Sequence, residues 1–152
     1  MPQAYLGIAF SFGIPMAFAA QTNSLPPLIW ILMLANLFWV IAYDTAYAIV
    51  DKPDDLKIGI KTSAITMGRF DVMGVMLCHG MFIGIMLAIG QLRAMGMAYY
   101  AGLTIAVGLI IYQYTLIRNR DRTLCFKAFL HNNWVGMVVF AGIALDFLIY
   151  QT

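Results

Sequence analysis

Four side chains within residues 44–55 hold most of the reactive chemistry of this sequence: Asp44, Tyr47, Asp51 and Asp55. On a helix turning about 100° per residue, Asp51 falls about 20° to one side of Asp44, Asp55 about 20° to the other and Tyr47 about 60° away. Three carboxylates and a phenol would then share one face. Neighbouring carboxylates raise each other's pKa by repulsion, so such a stripe disfavours itself unless a cation sits on it. Asp51 and Asp55, an i,i+4 pair, are spaced to share a hard cation through oxygen ligands, and magnesium suits them because it typically takes one or two carboxylates plus substrate phosphates. Lys57 and Lys61 form a second i,i+4 pair that could meet phosphate oxygens, and acid followed by base describes a diphosphate site. A plainer reading stands beside this one: Asp51, Asp54 and Asp55 as a solvated, helix-capping cluster, with Lys57 and Lys61 serving only topology. Pro53 removes a helical hydrogen bond and disfavours helical geometry at Lys52, which predicts a kink or restart. The shared face is therefore firmer for Asp44, Tyr47 and Asp51 than for Asp55.

The elements that must position these groups follow from composition. Of the 152 residues 62% are hydrophobic and 11% charged, less than half the charge of a soluble domain, and mean hydropathy is +0.84. This excludes a disordered chain, a secreted disulfide scaffold and a soluble nucleic-acid binder. No charge precedes Asp44, and uncharged runs cover 72–92, 94–117 and 128–145, close to the ~20 residues that cross a hydrocarbon core. The reading is an all-α polytopic membrane bundle, one membrane domain over 1–152, with five spans at roughly 4–20, 27–50, 71–90, 96–117 and 131–150. Asp44 lies about two turns before the end of the second span. An ionised carboxylate at that depth costs at least ~2.5–3.5 kcal/mol and so faces a protein interior or a water-filled cavity.

Alternate connectors lie on opposite sides of the membrane. Lys52, Lys57, Lys61 and Arg69 in the 51–70 connector and Arg118, Arg120, Arg122 and Lys127 in the 118–130 connector share one side, whereas the other side has only Arg93. The positive-inside rule makes the basic side cytoplasmic. Trp30, Tyr99, Tyr100, Tyr114, Trp134 and Tyr150 fall near span ends, as interfacial aromatics should. Gly80 and Gly84 form a GxxxG that would let another helix approach closely.

The residues around the acidic stripe carry a resemblance. Tyr43-Asp44-Thr45-Ala46-Tyr47-Ala48-Ile49-Val50-Asp51, then Asp54-Asp55, then Lys57-Ile58-Gly59-Ile60-Lys61-Thr62-Ser63-Ala64 resembles the second aspartate-rich motif of UbiA-type membrane prenyltransferases, most closely the 4-hydroxybenzoate polyprenyltransferase branch of ubiquinone biosynthesis. Pro2-Gln3, Leu6-Gly7 and Pro15-Met16-Ala17-Phe18 before it, and Asn119-Arg120, Cys125-Phe126-Lys127-Ala128-Phe129 and Asn132-Asn133 after it, extend the similarity over essentially the whole chain. The resemblance implies a magnesium-dependent transfer of a polyprenyl group from polyprenyl diphosphate to the ring of 4-hydroxybenzoate, in a bacterial inner membrane. It implies that Asp51 and Asp55 match the DxxxD that holds metal and diphosphate, with Lys57, Lys61, Asp44 and Tyr47 on the diphosphate. Family members have about nine membrane helices, and their first acidic motif, NDxxDxxxD, lies in the N-terminal half. This sequence aligns with the C-terminal half, so the chain alone is expected to lack prenyl transfer, which a separate N-terminal half, if one is supplied, could restore.

Other polar groups invite plainer readings. His79 is expected to be packed and hydrogen-bonded, Asn132 or Asn133 to cap the last span, Asp146 to sit at the external interface, and Cys78 and Cys125 to pack. The alternative function is a non-catalytic membrane protein that binds lipid or a partner. A small transporter using Asp44 as a cation site is a third.

Overall fold

The computed structural model describes residues 2–150, Tyr150 by its backbone alone. The helices are α1 (Pro2–Ser11), α2 (Gly13–Thr22), α3 (Leu28–Ile58), α4 (Ser63–Met67), α5 (Asp71–Leu92), α6 (Met97–Ile117) and α7 (Arg122–Tyr150), with a 3-10 turn at Gly68–Phe70. Five stretches are long and apolar enough to cross a membrane: Pro2–Thr22, Leu28–Ile58, Ser63–Leu92, Met97–Ile117 and Arg122–Ile149. The fold is the expected all-α membrane bundle. The first span is two helices with a break at Phe12, because Pro15 has no N–H to give the Ser11 carbonyl.

α3 is the central helix, packed against α1, α2, α4, α5 and α7, and α6 lies mainly against α7. Lipid offers no hydrophobic drive between helices, so close approach depends on small residues. Ala42, Ala46 and Ala48 supply these on α3, within a core that includes Val75 and Cys125. A Cβ added at Gly102 on α6 would meet Val138 O at 2.8 Å and Gly142 Cα at 2.9 Å on α7. The tight crossing is therefore Gly102 on Gly142. A Cβ added at Gly80 or at Gly84 would meet nothing within 4 Å, so among the described residues the GxxxG pair makes no close helix crossing.

Two boundaries differ from the expected ones. α3 runs through Pro53 to Ile58 and stops where Gly59 turns left-handed at φ 78°, so residues 51–58 are helix and not connector. α7 begins at Arg122, nine residues before the expected start at 131. Charge hid both extensions, because a helix end in water does not read as apolar. His131, Asn132 and Asn133 consequently lie inside α7 and cap nothing.

Candidate functional site

The unbroken helix places Asp44, Tyr47, Asp51 and Asp55 on one element, and Asp55 keeps the register that Pro53 threatened. The last two turns of α3 are held from outside. Lys52 Nζ donates to Asp71 Oδ2 at 3.1 Å and to the Gly68 carbonyl at 3.2 Å, and Arg122 donates to Asp54 Oδ2 at 2.7 Å. These contacts tie the turns around Pro53, a residue that ordinarily costs ~3 kcal/mol inside a helix, to the start of α5 and to α7.

Asp44, Asp51 and Asp55 are half-buried, and the Tyr47 phenol faces the Asp51 carboxylate. Among the described residues none of these three carboxylates is in an ion pair, whereas Asp54 pairs with Lys57 and Arg122, and Asp71 with Lys52 and Arg120. No group of three or more His, Cys, Asp or Glu is placed to hold a metal by itself among the described residues. Asp51 and Asp55 fit magnesium as one side of a site, since it needs only one or two carboxylates when phosphate oxygens and waters complete the octahedron.

An aromatic wall stands beside the stripe. Tyr47 meets Phe129 at 4.9 Å and Phe126 at 6.4 Å between ring centroids, and Tyr43 meets Phe129 at 6.0 Å. Both phenylalanines lie in the first turns of α7, within the 118–130 stretch expected to be a connector. A groove of about 340 Å³ follows, lined by Trp39, Tyr43, Phe129, Leu130, Asn132 and Asn133. The Trp39 indole N–H donates to Asn132 Oδ1 at 3.2 Å, stacks on Phe82 at 5.8 Å and lies over Gly136, where a Cβ would come within 2.6 Å of the ring. Beyond Trp39 a groove of about 460 Å³ opens between Ile14, Leu32, Phe82, Met86, Val139 and Phe140. Along α3 the chemistry thus runs from carboxylate to phenol, to indole and amide, to hydrocarbon.

The two lysines are not brought together. Lys57 Nζ donates to Asp54 Oδ1 at 3.1 Å, the helix ends one residue later, and Lys61 lines a different groove with Pro2, Tyr5, Leu6 and Ala9 of α1. The i,i+4 pairing of Lys57 and Lys61 fails because Gly59 breaks the register. Arg120 and Arg122, assigned to topology alone, are tied to carboxylates.

Asp71 and Asp146 are buried and structural in ways sequence did not reveal. Asp71, 0% exposed, accepts from Arg120 Nε at 2.8 Å, from Lys52 and from the Val72 N–H; an acid opening a span amid basic neighbours was the available signal. Asp146, also 0% exposed, is no interface residue. It accepts from the Gly96 and Tyr99 N–H groups at 2.9 and 3.2 Å and caps the start of α6. Tyr99 is buried, its hydroxyl donating to the Met86 carbonyl at 2.6 Å, so it is not an interfacial anchor; the Tyr150 side chain lies outside the described residues. His79 is packed as expected, at 2% exposure, but both its ring nitrogens are buried without a hydrogen-bond partner among the described residues, so the hydrogen-bonded half of that expectation is not met.

Residues 1–150 match the UbiA prenyltransferase family. A protein of Nitrosospira multiformis named 4-hydroxybenzoate octaprenyltransferase is 70% identical over 149 residues, covering 98% of this chain and 51% of the relative. Proteins of the same name from Nitrosomonas eutropha and Azoarcus sp. are 68% and 62% identical, each across 98% of this chain and 52% of the relative. The chain spans about half the length of these curated relatives, and no solved structure matches it. With an acidic stripe at the mouth of a helical membrane bundle and a family match along nearly its whole length, the chain belongs to the UbiA prenyltransferase family.

Proposed function

We propose that this chain forms one wall of a prenyl-transfer site for polyprenyl diphosphate and 4-hydroxybenzoate. The observation that carries the reading is the order of chemistry along the length of α3. Asp51 and Asp55, one turn apart and out of every ion pair of the described residues, hold the magnesium diphosphate. Magnesium, when bound, draws charge onto the departing diphosphate. Asp44 and Tyr47 line the same mouth, with Lys57 at its rim; Lys61, on the α1 side, is left out. The aromatic wall of Tyr43, Tyr47 and Phe129 suits both an allylic cation and a planar acceptor ring, because aromatic faces carry negative charge density. The apolar groove past Trp39 suits isoprene units, and burying them there excludes water from the reacting carbon. The ring carbon beside the acceptor's phenol attacks the allylic carbon as the C–O bond to diphosphate breaks, and the ring proton is lost afterwards. No covalent enzyme nucleophile is needed.

Two carboxylates are half of such a site, so the reading calls for a second acidic motif facing them, of the kind an N-terminal half would carry. The reading places the Asp51–Asp55 mouth on the cytoplasmic side of a bacterial inner membrane. The test is prenylation in membranes with 4-hydroxybenzoate, Mg²⁺ and a polyprenyl diphosphate. No turnover is expected from the chain alone, and turnover is expected once an N-terminal half bearing NDxxDxxxD is co-expressed. Continued absence of product with both halves folded would overturn the proposal in favour of a non-catalytic membrane protein.

A further inference from the structure

The cations at this end of the bundle are distributed unevenly. Four of them, Lys52, Lys57, Arg120 and Arg122, are engaged by two acids, Asp71 and Asp54, at 2.7–3.1 Å. Asp51 and Asp55 receive none, although Lys52 adjoins Asp51 in sequence and lies i−3 from Asp55, a spacing at which helical ion pairs form. Asp71 is fully buried, and it binds Lys52 from α3, Arg120 from the α6–α7 link and the backbone at the start of α5, while Arg120 also donates to the Arg69 carbonyl at 2.8 Å. A fully buried carboxylate with two cationic partners keeps them firmly, since losing them would leave its own charge unpaired out of water. The ammonium of Lys52 is thereby committed to Gly68 and Asp71 and pairs with neither Asp51 nor Asp55.

We propose that Asp71, with Asp54 in a lesser part, is a positioning residue that sequesters neighbouring cations so that Asp51 and Asp55 stay free for a metal diphosphate. The proposal rests on the reading of Asp51 and Asp55 given above and adds to it the reason why two carboxylates remain uncompensated amid so many basic residues. A freed Lys52 would swing to Asp55 and oppose the metal by charge. Asp54, exposed and screened, holds Arg122 and Lys57 more loosely.

The test measures Mn²⁺ binding in the presence of inorganic pyrophosphate, by the electron paramagnetic resonance signal of free Mn²⁺, on the full chain in phosphatidylcholine nanodiscs. Asp71→Asn is expected to weaken binding about tenfold, the scale of one unit charge moved within a few ångströms in a partly solvated site. Asp71→Asn combined with Lys52→Met is expected to return to within about twofold of the parent, because the competing charge is gone. Asp71→Asn combined with Arg118→Gln, which removes a nearby cation outside the clamp, is expected to stay weak. Equal rescue by both double variants would reduce the effect to net charge and overturn the proposal, as would no rescue by either. If Asp71→Asn does not fold, Asp54→Asn on the surface decides: about threefold weakening supports the proposal, the scale of one screened charge in high dielectric, and unchanged binding overturns it. Failure of the parent chain to bind Mn²⁺ would instead remove the metal-site reading itself, and the positioning role with it.

Discussion

Two ends of one apolar bundle treat carboxylates in opposite ways. At the end where α5 meets α6, Asp146 is wholly enclosed and accepts from two backbone N–H groups. At the other end Asp51 and Asp55 are half-exposed and without ion pairs. Both arrangements sit in a chain with few charges, where every acid costs something to place. The difference teaches that burial with satisfied donors marks an acid serving the fold, whereas partial exposure without a cationic partner leaves an acid open to the ligand proposed above. Conserving charge while moving the partners would blur the distinction, and variants at the two ends can be compared directly.

The largest contrast is expected in activity. If the proposed activity is reconstituted by co-expressing an N-terminal half bearing NDxxDxxxD, Asp51→Ala or Asp55→Ala should lower prenyl transfer at least about a hundredfold, the scale of removing a group that stabilises developing charge. Asp146→Asn should leave the rate per folded molecule within a few-fold. Comparable losses at both ends would break the comparison.

Stability should show the reverse order. Asp146→Leu strands two N–H groups and should cost about 2–4 kcal/mol, read as a lower midpoint in detergent unfolding, while Asp51→Ala should cost under about 1 kcal/mol because nothing buried loses its partner. Next come the glycines. Gly102→Ala forces a Cβ against Val138 O and Gly142 and should destabilise by about 1–3 kcal/mol, whereas Gly80→Ala and Gly84→Ala, facing open space, should stay within about 0.5 kcal/mol.

A further effect concerns Asn132. Replacing it by Leu removes the acceptor shared by the Trp39 indole N–H and Gln113 Nε2 and should cost about 0.6 kcal/mol for each bond, the mean for such bonds between membrane helices. A shift of Trp39 fluorescence in a Trp30→Phe, Trp134→Phe background would report the freed indole.

Much of this architecture is legible in the sequence. Long uncharged runs locate five spans, since the bilayer penalises charge residue by residue, and the spacing of Asp44, Tyr47, Asp51 and Asp55 already places them on one face. The hidden parts depend on partners distant in sequence. α3 continues past Pro53 with support from Asp71 and Arg122, and Asp146 caps a helix that begins some fifty positions earlier; no local pattern encodes either. The first turns of α7, which bring Phe126 and Phe129 to Tyr47, are too rich in charge to read as a span. The resemblance pointed to those residues without showing where they stand. The Lys57–Lys61 pair failed for a local reason, because Gly59 was not recognised as a helix stop despite being the residue best suited to a left-handed turn.

The most direct test of the central claim is Mg²⁺-dependent binding of a non-hydrolysable prenyl diphosphate analogue to the chain in nanodiscs, measured by calorimetry for the parent, the Asp51→Asn/Asp55→Asn double variant and Asp146→Asn. Binding that requires Mg²⁺, disappears in the double variant and persists in Asp146→Asn is the predicted result. Equal binding by the parent and the double variant would contradict the account.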